Sequence, residues 1–138
     1  MILARTDALI HGWEEVEARV NEFIRVGVDF VLIEALPDRE AMQRAVDTFD
    51  IPLIANIIEG GKTENLSAVE LARMGFAMVT YPITLVAAHL KGTRDALKNL
   101  KKTMTTGSPP QILSFEEVCE GVGFNDYWAE EERYKFDG

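Results

Sequence analysis

The sequence of 138 residues is poor in the side chains that build disulfides and metal sites, with one cysteine and two histidines. A single cysteine excludes an internal disulfide and a site of several thiolates. No apolar run approaches the roughly 20 residues that span a bilayer. The N-terminus also lacks a basic segment followed by a long apolar stretch. We therefore expect no membrane partner and no signal peptide, and the cytoplasm is the expected compartment.

Basic residues are also scarce. The chain has 14 lysines and arginines against 23 aspartates and glutamates, which gives a net charge of −9. The basic residues that cluster are Lys98, Lys101 and Lys102. Binding of nucleic acid depends on neutralising phosphates, so this composition argues against a nucleic-acid partner.

What the chain does contain is typical of a globular domain: 47% of its residues are hydrophobic and 27% are charged. Four short, almost continuously apolar runs recur, at residues 2–5, 30–34, 52–56 and 76–81. Runs of this kind are typical of strands that are buried on both faces. Helical patterns separate them, and a longer helix is predicted at about 83–102. Strands alternating with helices predict an α/β fold with a parallel sheet.

The last part of the chain reads differently. Prolines and a glycine within residues 105–113 predict a linker, because they cannot continue a helix. Ser114 and Glu117 form a capping-box pattern, and a final helix is predicted at about 125–134. The predicted domains are therefore residues 1–104 for the four β/α units, 105–113 for the linker, and 114–138 for a helical tail that is too aromatic to be a solvated arm.

Polar residues stand where the predicted strands end. They are Arg5 with Asp7, Glu34, Asn56 with Glu59, and Tyr81. The carboxyl ends of parallel strands share one edge of a sheet, so we expect these side chains to share a rim. An arginine beside an asparagine suits a carboxylate or phosphate. Glu34 would orient the arginine, bind a hydroxyl, or act as an acid or base. From the spacing alone, a simple stabilising ion pair between Arg5 and Glu34 is as good an interpretation as a functional site.

A glycine-rich loop follows the third run, at residues 59–63. It is not a phosphate-binding P-loop, because Asn56 stands where that motif needs glycine. Lys62 either contacts a ligand or is solvated, and the sequence favours the solvated interpretation. His11 precedes a helix and is expected to be exposed, and His89 is expected to be a packed or surface residue of a helix, so neither is a good catalytic candidate. Cys119 has no neighbouring histidine or lysine to lower the pKa of its thiol.

Several of these segments occur in a recognisable order: Ala4-Arg-Thr-Asp-Ala8, Ala55-Asn56, Glu59-Gly-Gly-Lys-Thr63, Leu66-Ser67, Gly75-Phe76 and Tyr81-Pro82. In that order they resemble the second half of the isocitrate lyase / phosphoenolpyruvate mutase family, with methylisocitrate lyase and dimethylmalate lyase types among its members. The tail also resembles the end of such chains. The resemblance implies the C-terminal half of a (β/α)₈ TIM barrel.

The resemblance further implies a magnesium-dependent enzyme that cleaves a carbon–carbon bond of a 2-hydroxy dicarboxylate, of the methylisocitrate, dimethylmalate or oxaloacetate type. A small dicarboxylate or 2-oxo acid would be the ligand. By analogy, Arg5 binds a carboxylate or phosphonate, Asn56 binds a second carboxylate, and Glu34 is the catalytic residue. The tail would pack on a neighbouring subunit, so a homo-oligomer is expected.

One departure from the family pattern matters. Family members carry an aspartate-rich magnesium site and a Lys-Lys-Cys-Gly-His loop on earlier strands, and neither occurs in this sequence. The ligands for Mg²⁺ and the proton donor are therefore expected outside this chain, and the chain alone is expected to be inactive or nearly so.

Four strands do not close a barrel, which leaves several interpretations. The preferred one is a fragment of a lyase that keeps half of the substrate site. The alternatives are a non-enzymatic half-barrel that assembles with itself or with an N-terminal half, a phosphonomutase-like relative, and an unrelated open α/β domain that binds a small anion.

Overall fold

The computed structural model describes residues 1–107 and 112–135. Each predicted β/α unit is present, and a short 3-10 helix (Ala8–His11) follows the first strand. The strands are β1 (Leu3–Thr6), β2 (Phe30–Ile33), β3 (Leu53–Asn56) and β4 (Met78–Thr80). The helices are α1 (Trp13–Val26), α2 (Arg39–Thr48), α3 (Ala68–Met74), α4 (Thr84–Thr106), α5 (Phe115–Gly121) and α6 (Phe124–Arg133). The chain divides into two units, Met1–Ala88 and His89–Gly138.

The four strands form one parallel sheet in the order β1-β2-β3-β4. Arg5 lies opposite Leu32, Leu32 opposite Ile54, and Asn56 opposite Thr80. In the described residues β1 and β4 each pair on one side only, so the sheet of the first unit is open at both edges.

The core of the first unit lies on one face of this sheet. Alternate residues of the two central strands, Val31 and Ile33 on β2 with Leu53 and Ala55 on β3, join the apolar stripes of the helices in one buried cluster. The helical members are Val16, Val20, Met42, Ala45 and Leu71. Val16, Val20 and Ala45 are fully inaccessible to solvent. The apolar faces that predicted α1 and α2 are therefore the faces that pack in the core.

The opposite face carries the other alternation of each strand. Its central residues, Leu32 and Ile54, are buried but lie outside the main core cluster. Its edge residues, Leu3 and Met78, are 48% and 43% exposed. In a parallel sheet with helices on one face, the face without them is the one that turns inward when a barrel closes.

Helix ends agree with the sequence patterns. Gly27 caps α1 in the left-handed conformation, and Ser67 and Ser114 form complete capping boxes with Glu70 and Glu117. These caps satisfy backbone N–H groups that have no partner inside the helix. The capping predictions are confirmed.

Several boundaries differ from prediction. β4 begins at Met78 rather than Phe76, because the Phe76 N–H donates to the Leu71 carbonyl, 3.0 Å away, and so belongs to the C-cap of α3. α4 continues to Thr106 and ends at Gly107, whose positive φ of 72° permits the turn.

The predicted linker and tail are only partly within the described residues. Residues 105–106 of the predicted linker are helical, and 108–111 lie outside the description. In the tail, where 136–138 lie outside it, α5 and α6 pack against each other, and Phe124 stacks on Trp128 with ring centroids 5.5 Å apart. No helix within residues 1–107 or 112–135 has both the length and the apolar character that crossing a bilayer requires.

Two helix-capping glycines allow a matched test of packing. Gly27 and Gly75 both adopt left-handed conformations, but an added Cβ meets nothing at Gly27, whereas at Gly75 it would lie 2.7 Å from Val46 Cγ1. Gly27→Ala should cost about 1 kcal/mol from backbone strain alone. Gly75→Ala should cost about 2 kcal/mol or more, because overpacking is added. Urea unfolding of both variants measures the difference, and equal costs would contradict the predicted clash.

The Glu70 carboxylate predicts a pH dependence of stability. Its bond from Arg39, with further bonds at Ser67, lowers the pKa of Glu70 from 4.5 to about 2. A carboxylate with a lowered folded pKa stabilises the fold above its unfolded pKa, and this stabilisation is lost as the pH falls from about 4.5 towards about 2. Glu70→Gln should therefore unfold at lower urea near neutral pH, with a deficit that narrows below about pH 4.5.

The control is Glu14→Gln, which removes an exposed carboxylate from the first turn of α1. A deficit for Glu70→Gln that stays constant down to about pH 3 would contradict the assignment.

Candidate functional site

Arg5, at the carboxyl end of β1, lies between two carboxylates. Its Nε and Nη2 donate to Asp7 Oδ2 and Oδ1 at 3.0 and 2.8 Å, and Nη2 lies 3.4 Å from Glu34 Oε2. The bidentate bond lowers the pKa of Asp7 below its ordinary range. The same bond, with the charge of Glu34, raises the pKa of Arg5. Arg5 is thus held as a cation with its guanidinium plane oriented.

Glu34, immediately after β2, connects Arg5 to the next two strands. Asn56 Nδ2 donates to Glu34 Oε2 at 3.3 Å, and Thr80 Oγ1 donates to Asn56 Oδ1 at 2.9 Å. One polar side chain from the end of each strand therefore joins a continuous series of contacts. We call this series, formed by Arg5, Glu34, Asn56 and Thr80, the rim network.

The strand register explains why these residues meet. Glu34, Asn56 and Thr80 each stand two positions after a residue of the inward face, namely Leu32, Ile54 and Met78, and side chains alternate along a strand with a period of two. Leu32 is paired with Ile54, and Ile54 with Met78. The rim network therefore lies on the inward face, at its carboxyl edge.

The backbone next to Glu34 is strained. Ala35 has a φ of 61°, a left-handed conformation that costs a non-glycine residue about 1–2 kcal/mol. It is the sole non-glycine residue with a positive φ in the part of the chain that the structure describes. Such strain persists where the surroundings impose it, and it is concentrated at functional sites.

Two cavities open beside Glu34. One, of about 250 Å³, is lined by Asp7, Leu9, Ile10, Glu34, Ala35 and Lys62. The other, of about 240 Å³, is lined by Glu34, Ala35, Asn56, Ile58, Gly61, Lys62 and Thr63. Glu34, Ala35 and Lys62 are common to both, so the two cavities adjoin each other, and of the rim network Glu34 and Asn56 contribute to their walls.

Most of the residues predicted for the rim lie together. Arg5, Asp7, Glu34 and Asn56 are in contact, as described above. Glu59 does not join them, since its carboxylate accepts a hydrogen bond from Thr84 at the start of α4, which lowers the pKa of Glu59. The functional roles of Arg5, Glu34 and Asn56 stay predictions.

Tyr81 was predicted for the rim, but Thr80 occupies the place. The tyrosine is 40% exposed and follows the end of β4. The predicted strand, residues 76–81, extends one residue beyond the carboxyl end of β4, and a shift of one residue exchanges the two faces of a strand. A threonine at a strand end carries no distinctive sequence signal for a functional site. Only the pairing of Thr80 with Asn56 in the structure shows that it belongs to the rim network.

The other residues considered in the sequence are not members of the rim network. His11 is an exposed residue of the 3-10 helix, and His89 is an exposed residue of α4. Cys119 is buried in α5.

The residues present do not fit a magnesium site. Both rim carboxylates, Asp7 and Glu34, are engaged by Arg5. Across the described ranges, no three histidine, cysteine, aspartate or glutamate side chains converge as metal ligands would. Mg²⁺ prefers several oxygen ligands around it, so we derive no step of a reaction through a metal held by this chain.

Residues 1–101 match the sequence family described as phosphoenolpyruvate phosphomutase. The chain belongs to this family. A 2-methylisocitrate lyase of Aeropyrum pernix is 30% identical over 132 residues, covering 92% of this chain and 42% of the relative. A chloroplastic carboxyvinyl-carboxyphosphonate phosphorylmutase of Arabidopsis thaliana is 31% identical over 138 residues, covering 96% of this chain and 41% of the relative. A lyase and a phosphorylmutase are thus about equally similar to this chain.

Solved structures share the fold. A 2,3-dimethylmalate lyase, a member of the PEP mutase/isocitrate lyase superfamily, matches 98% of this chain with a TM-score of 0.84 and 25% identity. Oxaloacetate acetylhydrolase in complex with oxalate matches 94% of the chain with a TM-score of 0.81 and 27% identity. A phosphonopyruvate hydrolase in complex with oxalate and Mg²⁺ matches 97% with a TM-score of 0.73, but its 21% identity shows the fold alone.

These matches cover 48%, 45% and 49% of the solved chains, so the present chain spans less than half the length of the relatives in the phosphoenolpyruvate phosphomutase family. The predicted fold class, α/β with four parallel strands corresponding to part of a barrel, is confirmed.

The rim network predicts an effect of Thr80→Val on Asn56. The substitution keeps the shape of the side chain but removes the hydroxyl that donates to Asn56 Oδ1. The Asn56 amide should lose its fixed orientation, and the fold should lose about 1 kcal/mol. The side-chain amide signals of Asn56 in a ¹⁵N correlation spectrum measure the first effect. Thr48→Val, which removes a hydroxyl bonded within α2, is the matched control. Unchanged Asn56 signals in Thr80→Val would show that this bond does not orient the amide.

Proposed function

We propose that this chain carries part of the substrate site of a carbon–carbon bond lyase that acts on 2-hydroxy dicarboxylates. The observation that carries the proposal is the contact of Arg5, Glu34 and Asn56 at the carboxyl edge of the inward face. The similarity to 2-methylisocitrate lyase, dimethylmalate lyase and oxaloacetate acetylhydrolase supports it.

Arg5 and Asn56 are proposed to bind the carboxylates of the ligand. Arg5 uses Nε and Nη2 for Asp7 and Glu34, which leaves its Nη1 hydrogens to donate to a ligand. Asn56 uses one amide hydrogen for Glu34 and has a second one to donate. Both groups are oriented by their existing contacts, so little conformational freedom is lost when a ligand binds.

Glu34 is the proposed catalytic residue. Its Oε2 is next to both Arg5 and Asn56, whereas no hydrogen bond to Oε1 is present among the described residues. Oε1 is therefore suited to accept the hydrogen of a substrate hydroxyl. In a retro-aldol cleavage, loss of that proton forms the carbonyl of the 2-oxo acid. The electron pair of the broken carbon–carbon bond then passes to the second fragment as an enolate, which must be stabilised and protonated.

The groups that stabilise and protonate an enolate are proposed to come from outside this chain. The described residues contain no metal-ligand cluster, and Cys119 is a buried residue of α5. A bound Mg²⁺ would supply charge stabilisation of the enolate oxygen. The chain alone should therefore bind ligands at most, and turnover should require the rest of a barrel.

A second candidate is a non-enzymatic half-barrel that assembles with itself or with an N-terminal half. The open edges β1 and β4 and the exposed Leu3 and Met78 favour it, because unpaired strand edges invite pairing. Co-expression with the N-terminal half of a lyase of this family, followed by an assay for pyruvate or glyoxylate release, separates the two. Release supports the lyase, and a stable inactive assembly supports the half-barrel.

Binding of oxalate tests the proposed roles directly. Arg5→Leu should weaken oxalate binding by about 2–3 kcal/mol, because a charge-assisted contact is lost. Isothermal titration calorimetry of the whole chain measures this. Arg19→Leu is the matched control, since Arg19 bonds one carboxylate, Glu15, along the surface of α1. Equal affinities in the wild type and Arg5→Leu would remove Arg5 from the site.

A further inference from the structure

The rim network and its surroundings lack the positive charge that an anionic ligand needs. Its single cation, Arg5, lies against Glu34 and also against Asp7, which is outside the network, so these three side chains together carry one excess negative charge. Arg5 has committed two of its three nitrogens to these neighbours. Glu34 lines both cavities, Asp7 lines one of them and Arg5 lines neither, so a dicarboxylate in either cavity would meet a like charge, which disfavours binding.

Lys62 offers the missing charge. It is the single lysine among residues 1–88, it is exposed, and among residues 1–107 and 112–135 no carboxylate lies within 4.0 Å of its ammonium group. It also lines both cavities beside Glu34. Lys62 is thus a cation without a carboxylate partner among the described residues, and it borders the spaces where a ligand would bind.

The loop that carries Lys62 has a defined path. It leaves β3 through Ile57, which is fully buried and whose N–H donates to the Thr80 carbonyl at 2.9 Å, and it ends at Leu66, which is also buried. Between these anchors the Gly61 N–H donates to the Ile58 carbonyl at 2.8 Å.

The turn itself requires glycine. A Cβ at Gly61 would lie 2.8 Å from the Ile58 oxygen, and Gly60 has a φ of 73°. Gly60 therefore has a backbone conformation, and Gly61 a close contact, that a residue with a side chain tolerates poorly. The turn therefore places the next residue, Lys62, beside the cavities.

We propose that Lys62 binds a carboxylate of the ligand and makes the site selective for dianions over monoanions. This inference rests on the proposed function, and it names the residue that distinguishes ligands at that site. One carboxylate binds at Arg5 and Asn56, and the second binds the Lys62 ammonium in the cavity that Asn56 and Lys62 both line. A monocarboxylate uses the first position alone and gains little from Lys62.

Titration with oxalate and with pyruvate tests the proposal by calorimetry. Lys62→Met should weaken oxalate binding about tenfold or more, the size of one charge-assisted contact, and should change pyruvate binding by less than about threefold. Lys62→Arg should keep most of the oxalate affinity, because the charge remains. Lys98→Met, which removes an exposed lysine of α4, is the matched control.

A spectroscopic readout separates direct binding from a loss of structure. The lysines of the whole chain are reductively methylated with ¹³C, and the Lys62 signal is identified by its absence in Lys62→Met. Addition of oxalate should shift this signal and leave that of Lys98 unchanged.

The outcomes distinguish a failure of this inference from a failure of the proposed function. If the wild type binds oxalate and Lys62→Met binds it equally well, the role of Lys62 is wrong while the proposed site stands. An equal loss of oxalate and pyruvate binding in Lys62→Met would overturn the selectivity. If the wild type binds neither ligand, the proposed function of the isolated chain fails, and the inference fails with it.

Discussion

The parallel register of the four strands is the constraint on which the site depends. It places the ends of β1 to β4 at one edge and on one face, so that Arg5, Glu34, Asn56 and Thr80 come within hydrogen-bonding or ion-pairing distance of their neighbours. A slip of one residue in any strand would turn its member of the network into the helix-packed core, where a charged or amide group would lose its hydration.

The geometry also bears on whether Arg5 and Glu34 form only a stabilising ion pair. The close bidentate bond of Arg5 is made to Asp7, whereas its contact with Glu34 is a single one of 3.4 Å. Partly exposed pairs of this kind contribute little to stability. Glu34 instead shares Oε2 between two strands and leaves Oε1 open, an arrangement that suits ligand binding better than it stabilises a rim.

The family relationship and the length of the chain have different consequences. Membership of the phosphoenolpyruvate phosphomutase family rests on residues 1–101, and the fold matches superfamily structures along most of the chain. Yet the match spans less than half of each relative, and the open edges of the sheet leave room for further strands. The chemical groups of the chain agree with this match to only part of each relative. The residues described here are proposed to supply ligand contacts, and no metal-ligand cluster that could stabilise an enolate lies among them.

The sequence by itself determined the elements and most of the rim. Apolar runs predicted the strands, capping boxes predicted the starts of α3 and α5, and polar residues at strand ends predicted the meeting of Arg5, Glu34 and Asn56, because all of these patterns are local. Only the tertiary structure decided that Thr80 rather than Tyr81 joins the network, and that Lys62 borders both cavities. These depend on the pairing of β3 with β4 and on the path of a loop between distant anchors. Such long-range contacts leave no periodic signal in the chain.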